Sequence, residues 1–159
     1  MKLGREASVP PTVRAALERI FAAPVDQVKV IEHSWLVRLH GRAVATTRVR
    51  RIYLRGSAAE FFLDPWLMLH EYCHVIRQWQ SGRLTVPGYL YECLKRGYRD
   101  NRFEIEARAF ADENAANLHT LLGLRPGHTR PRLQPSSAAS CAACAAAKAR
   151  ASTSKRLFQ

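Results

Sequence analysis

The stretch DPWLMLHEYCHVIRQW, residues 64–79, contains the strongest structural signal in the chain. Asp64 is a good N-cap and Pro65 a good first helical residue, so the pattern predicts a helix that begins there. Gly82 predicts its end, because glycine is common just past a helix C-terminus. Apolar side chains occur on most sides of this helix, which is typical of a helix buried at the centre of a domain.

Residues 70–74 within this helix form an HExxH motif. His70 and His74 are four residues apart, so both imidazoles lie on one face and can bind the same ion. Catalytic zinc typically has three protein ligands and a water in the fourth position. Glu71, beside the first histidine, can accept a proton from that water. The motif therefore predicts two zinc ligands and a catalytic base, and the alternative is a solvent-facing helical turn without a metal.

The third ligand is expected in the later run NRFEIEA, residues 101–107. Glu104 and Glu106 are two residues apart, about 200° around a helix, so they cannot both face one ion. Glu104 projects within the apolar stripe of that helix, and Glu106 falls outside it. A carboxylate on a buried face needs a partner, so we select Glu104. The alternative is that Glu104, three residues after Asn101, completes a capping box.

The runs HEYCHVIRQ and NRFEIEA together resemble bacterial zincin-like families that pair an HExxH helix with a later E-x-E-A helix. One such pattern is an uncharacterised peptidase-like domain often reading HELTHVVQQ, found beside contractile injection systems and toxin modules. ImmA/IrrE-type and membrane-bound CAAX-processing peptidases are similar at a greater distance.

This resemblance covers about residues 10–122. It implies a gluzincin-type fold and a metallopeptidase that binds one zinc per chain and acts on a peptide or protein substrate. It also implies a ligand acid three residues before an alanine, which is Glu104 before Ala107. Those families often have Asp or Asn four residues after that acid, where it orients a histidine, and this chain has Arg108 instead.

The fold class expected around these helices is α+β: a zincin-like domain over residues 10–124, with a small N-terminal sheet and a helical C-terminal half. Residues 1–9 are expected to be a flexible leader, and residues 125–159 a disordered tail rich in Ala, Ser and Pro. The run HSWLVRLHGR fits a short helix or a strand equally well. The other expected elements are a helix over PTVRAALERIFAA, strands at Val28–Ile31, in AVATT and at Arg51–Leu54, a helix around Tyr89–Arg96, and a long helix from about Arg102 to Leu122.

The net charge of +12 comes mostly from the tail. Seven Lys or Arg and no acid follow Leu124, which leaves +5 for residues 1–124. A basic tail more often keeps a chain soluble than it recognises a nucleotide sequence, so nucleic-acid association is the weaker alternative function. A second alternative is a catalytically idle docking or secreted-cargo module with structural zinc.

The compartment expected from the sequence is the cytoplasm. The first residues have no apolar h-region, and no apolar run approaches the length of a membrane span. Four cysteines do not predict a disulfide framework, and Cys141 and Cys144 lack the second pair of a zinc finger. Export without a cleavable signal remains an alternative.

Three tyrosines, Tyr89, Tyr91 and Tyr98, lie between the two ligand helices. Any of them could donate a hydrogen bond to a reacting carbonyl oxygen. Aromatic residues in a connector more often pack, so the predicted site omits them.

Overall fold

The computed structural model describes residues 4–38 and 43–124, and these have the expected α+β architecture. The expected disordered tail lies outside the described residues. The elements in chain order are β1 (Arg5–Ala7), α1 (Pro11–Phe21), β2 (Lys29–Glu32), α2 (Trp35–Arg38), β3 (Ala45–Arg48), β4 (Arg51–Leu54), α3 (Ala58–Phe62), α4 (Pro65–Cys73), a π-helical segment (His74–Trp79), α5 (Val86–Arg96) and α6 (Arg102–Leu121).

The sheet has four strands among the described residues, in the order β1-β2-β4-β3. The two central strands, β2 and β4, are parallel, with Val30 opposite Ile52. The edge strands β1 and β3 are antiparallel to their neighbours. Val30 and Ile52 are fully buried and belong to one hydrophobic core with Leu17 of α1 and Leu69 of α4. The helices therefore cover the face of the sheet on which these two side chains lie.

Strand β1 lies within the segment that the sequence assigns to a flexible leader, and this corrects that expectation. Arg5 donates a hydrogen bond to the buried carboxylate of Glu32, and Lys29 forms an ion pair with Glu6 at 3.0 Å. A strand of three residues is too short for alternation to reveal it. The partners that hold it are more than 20 residues away in the sequence.

Helices α4 and α6 form the most extensive helix–helix contact of the described residues. The predicted start of α4 is confirmed, because Asp64 Oδ1 accepts a hydrogen bond from the backbone N–H of Leu67 at 2.9 Å. On α6, Ala107 and Ala111 are fully buried, and their small side chains allow close approach of the two helices. This packing positions the two motifs that sequence analysis singles out.

Two features differ from the sequence-based expectation. Helix α3 has no counterpart among the expected elements, and Ser57 caps it by accepting from the backbone N–H of Glu60. The helix that begins at Pro65 changes its winding at His74 to a π-helix, in which Gln80 N–H bonds to Val75 O at 2.9 Å. None of the helices in residues 4–38 and 43–124 has the length and hydropathy to cross a bilayer.

Candidate metal centre

The two motif histidines lie side by side at the junction of α4 and the π-helical segment. His70 is in the last turn of α4, and His74 is the first π-helical residue. Their Nε2 atoms face each other at 3.2 Å, and the rings meet edge to face at 84°. Both side chains are about 5% exposed. The four-residue spacing thus brings two imidazole nitrogens to one point inside the protein.

Glu104 reaches the same point from the first turn of α6. Its Oε2 lies 3.4 Å from Nε2 of His70, and its Oε1 lies 3.5 Å from Nε2 of His74. One ligand atom from each of the three residues lies within 4.8 Å of the others. Around tetrahedral zinc with bonds of about 2.0–2.1 Å, ligand atoms are about 3.3 Å apart. The observed separations fit a single metal ion held by these three side chains.

The capping-box alternative for Glu104 does not describe the structure. Asn101 caps α6 by accepting from the backbone N–H of Phe103 at 2.9 Å, while the Glu104 carboxylate faces the histidines. Glu106 lies on another face, where its side chain is 24% exposed and pairs with Arg83 at 3.0 Å. The structure therefore brings together His70, His74 and Glu104, and it leaves Glu106 outside the cluster.

Gln78 fixes the orientation of His74. Its Oε1 lies 2.7 Å from Nδ1 of His74, and its Nε2 donates to the carbonyl of Phe103 at 2.9 Å. Because the Gln78 oxygen can only accept, Nδ1 carries the proton and Nε2 of a neutral His74 carries a lone pair. A buried partner that sets the tautomer in this way is common for metal-binding histidines. Gln78 thus holds the His74 ring in the orientation that directs its Nε2 lone pair towards the cluster.

Two atoms of the cluster are buried without a hydrogen-bond partner: Oε2 of Glu104 and Nδ1 of His70. Oε2 lies 3.4 Å from Nε2 of His70, and a cation bound between the ligand side chains would give it a partner. The His70 ring stacks on Trp66 with centroids 5.1 Å apart, and the Trp66 indole N–H donates to Asp112. The Nδ1 edge of the His70 ring therefore has aromatic packing and no hydrogen-bond partner among the described residues.

Glu71 is 7% exposed beside the first histidine. Burial raises its pKa to about 7, with the charge of His74 opposing that shift and the charge of Glu104 adding to it. Burial alone would also raise the pKa of Glu104, but the facing His74 and His70 lower it to about 2. The two carboxylates therefore differ in character: the facing histidines favour the charged form of Glu104, and burial favours the protonated form of Glu71.

No protein-family model, curated protein or solved structure matches this chain. The candidate metal centre is therefore identified by its residues alone. These are an HExxH motif in a helix and a carboxylate from a second helix at metal-binding distance from both histidines.

Two of the tyrosines that sequence analysis leaves out of the site belong to its surroundings. The Tyr89 hydroxyl donates to Oε1 of Glu104 at 2.9 Å. Burial, then the charges of Glu104 and Glu71, raise the pKa of Tyr98, so its hydroxyl lies close to both carboxylates. Tyr91 is 59% exposed on the outer side of α5. The helical periodicity of α5 separates Tyr89 from Tyr91, but only the packing of α5 beside α6 shows which of the two faces Glu104.

Arg108 and Cys73 lie near the motif residues in the sequence but take no part in the cluster. The guanidinium of Arg108 donates to the backbone carbonyl of Arg99. Cys73 is fully buried, and burial raises its pKa to about 12, which keeps it a neutral thiol. Neither residue competes with the three ligand side chains for an ion.

Proposed function

We propose that this chain is a zinc-dependent metallopeptidase in which His70, His74 and Glu104 bind zinc and Glu71 is the general base. The observation that carries the proposal is the convergence of three buried ligand side chains beside a buried glutamate. The cluster contains three ligands among the described residues, and three is the number typical of catalytic zinc, which keeps one position for water. Two imidazoles favour zinc over magnesium or calcium, which prefer oxygen ligands.

The arrangement of the elements supports a zincin-like domain of the gluzincin type. A small sheet precedes α4, α4 carries the motif, and α6 carries the third ligand. The free buried thiols of Cys73 and Cys93 suit a reducing compartment, so we also propose a cytoplasmic location.

The chemistry divides between the metal and the chain. Zinc, when bound, polarises the scissile carbonyl and lowers the pKa of the attacking water. Glu71 accepts the proton of that water and transfers it to the leaving amine. The surroundings of Glu71 exclude most solvent, which strengthens the interactions of its charge with reacting groups.

The first experiment measures the metal content of the purified full chain by elemental analysis. About one zinc per chain is expected in the parent, with loss in His74→Ala and in Glu104→Ala. Glu106→Ala is the matched control, because Glu106 lies on the same helix outside the cluster and should leave the zinc in place. A parent without zinc under non-chelating conditions would overturn the proposal.

The second experiment measures cleavage of a fluorescently labelled unfolded protein such as casein. Glu71→Gln should retain zinc and lose about 10²–10⁴-fold in rate, the usual contribution of a general base. Equal rates for this variant and the parent would rule out Glu71 as the base. Zinc bound at one per chain, with no cleavage of any substrate in a peptide library, would instead favour the idle docking module.

A further inference from the structure

Helix α5 presents three side chains to the start of α6: Tyr89 and, about one turn later, the adjacent residues Glu92 and Cys93. Asn101 Nδ2 lies 3.3 Å from the sulfur of Cys93, and Arg102 lies 3.7 Å from Glu92. Tyr89, four residues before Cys93, therefore points towards α6 as well. These contacts fix α5 against α6 at the height of the first turn, where Glu104 lies.

We propose that Tyr89 is a positioning residue that holds the carboxylate of Glu104 in the orientation that binds the metal. The Tyr89 hydroxyl donates to Oε1 at 2.9 Å, and Oε2 remains without a hydrogen bond, 3.4 Å from Nε2 of His70. One oxygen is thus occupied by a protein donor and the other is free for a cation. This inference rests on the metal site of the proposed function and adds a residue to which no role is assigned above.

Helix α6 also carries an arginine on either side of Glu104, and a charge pair with either one would neutralise the carboxylate. The structure directs both of them elsewhere. Arg108, one turn later, bonds to the carbonyl of Arg99, and Arg102 lies over the ring of Phe103 and near Glu92. Tyr89 donates to Glu104 as a neutral group, and the Tyr98 hydroxyl also lies close to that carboxylate. A neutral donor fixes the carboxylate without cancelling the negative charge that attracts a cation.

The local structure of α5 places the hydroxyl with little freedom. Thr85 caps the helix by accepting from the backbone N–H of Gly88 at 3.2 Å, and Tyr89 N–H bonds to Thr85 O at 2.8 Å. A tyrosine side chain has two rotatable bonds, so ordering it costs little conformational entropy. Tyr89 therefore resembles the hydrogen-bond partners that orient ligands in metal sites. Mutation of such a partner typically lowers metal affinity or activity by about 10–100-fold.

The test compares the zinc affinities of the parent, Tyr89→Phe and Tyr91→Phe in competition with a chromophoric chelator. Tyr89→Phe removes only the hydroxyl and should weaken zinc binding by about 10–100-fold. Tyr91→Phe makes the same change on the same helix at an exposed position and should leave the affinity unchanged.

Two further measurements separate positioning from a general structural role. Urea unfolding of the metal-free Tyr89→Phe variant shows whether the change merely destabilises the fold. The visible absorption spectrum of Co²⁺ bound in place of zinc should shift in Tyr89→Phe, because that spectrum reports the ligand geometry.

Each outcome separates this inference from the proposed function. Parent-like zinc affinity and an unchanged Co²⁺ spectrum in Tyr89→Phe would overturn the positioning role while leaving the metal site intact. A parent chain that binds no zinc would overturn both.

Discussion

Gln78 offers a stringent test of the site, because one buried amide connects a proposed ligand to the second ligand helix. Replacing it with leucine, which is similar in size, removes the hydrogen bonds to Nδ1 of His74 and to the carbonyl of Phe103. A weaker bond at 3.3 Å to Glu106 is lost as well, but Arg83 still pairs with that carboxylate.

The expected loss of stability is the sum of the losses at two hydrogen-bond partners of Gln78, His74 and Phe103. Nδ1 of His74 becomes a buried donor without a partner, which costs about 1–3 kcal/mol. The Phe103 carbonyl lies in the first turn of α6 and keeps its place in the helical hydrogen-bond ladder, so the net loss there is about 0.5–1.5 kcal/mol. Gln78→Leu should therefore lower the free energy of unfolding of the metal-free protein by about 1.5–4.5 kcal/mol.

Urea denaturation in the presence of EDTA, followed by far-UV circular dichroism, measures this difference. Gln80→Leu is the control, because Gln80 is exposed and its replacement should change stability by no more than about 0.5 kcal/mol. Zinc affinity should fall by about 10–100-fold in Gln78→Leu alone, since His74 loses its orienting partner. A Gln78→Leu protein as stable and as zinc-avid as the parent would refute the assignment of Gln78 as the partner of His74.

Three further predictions address metal binding, capping and pH. Zinc at 1,000 times its dissociation constant should stabilise the full chain by about 4 kcal/mol, seen as a rise of about 8–16 °C in the melting temperature, and His74→Ala should show no such rise. Asp64→Ala should lower the free energy of unfolding by about 1 kcal/mol in urea, because Leu67 loses its capping acceptor, and an unchanged value would argue against the cap. The backbone N–H of Ala58, then Arg5, lower the pKa of Glu32 below its ordinary value of 4.5, so its contribution to stability is present above pH 4.5 and is lost as the pH falls through the lowered pKa. Glu32→Gln should therefore flatten the acid limb of the stability profile below pH 4.5, and a profile parallel to that of the parent would contradict the assignment.

The sequence predicts the elements that local chemistry determines. Asp64 and Pro65 determine the start of α4, and the helical wheel of α6 separates buried Glu104 from partly exposed Glu106. These features need only capping preferences and the period of a helix, so one short stretch suffices to infer them.

Features that depend on contacts between distant segments could not be predicted in the same way. Strand β1 depends on Glu32 and Lys29, which lie on another strand. The role of Gln78 depends on π-helical winding and on the carbonyl of Phe103, 25 residues later. Tyr89 and Tyr91 lie on different sides of α5. No local pattern in the sequence determines which of these sides faces α6. The residues that hold the candidate ligands in place are therefore harder to recognise from the sequence than the ligands themselves.

The π-helical segment His74–Trp79 has a consequence for how this chain tolerates changes in length. A π-helical turn holds one residue more than an α-helical turn, so the segment is equivalent to an α-helix with a single-residue insertion. Deleting Val75, for example, would allow ordinary winding and would bring Gln78 one position closer to His74 along the chain. The amide would then rotate away from the imidazole, although every other side chain of the site would still be present. A design that deletes one residue just after the HExxH motif would therefore disrupt the site without altering any ligand.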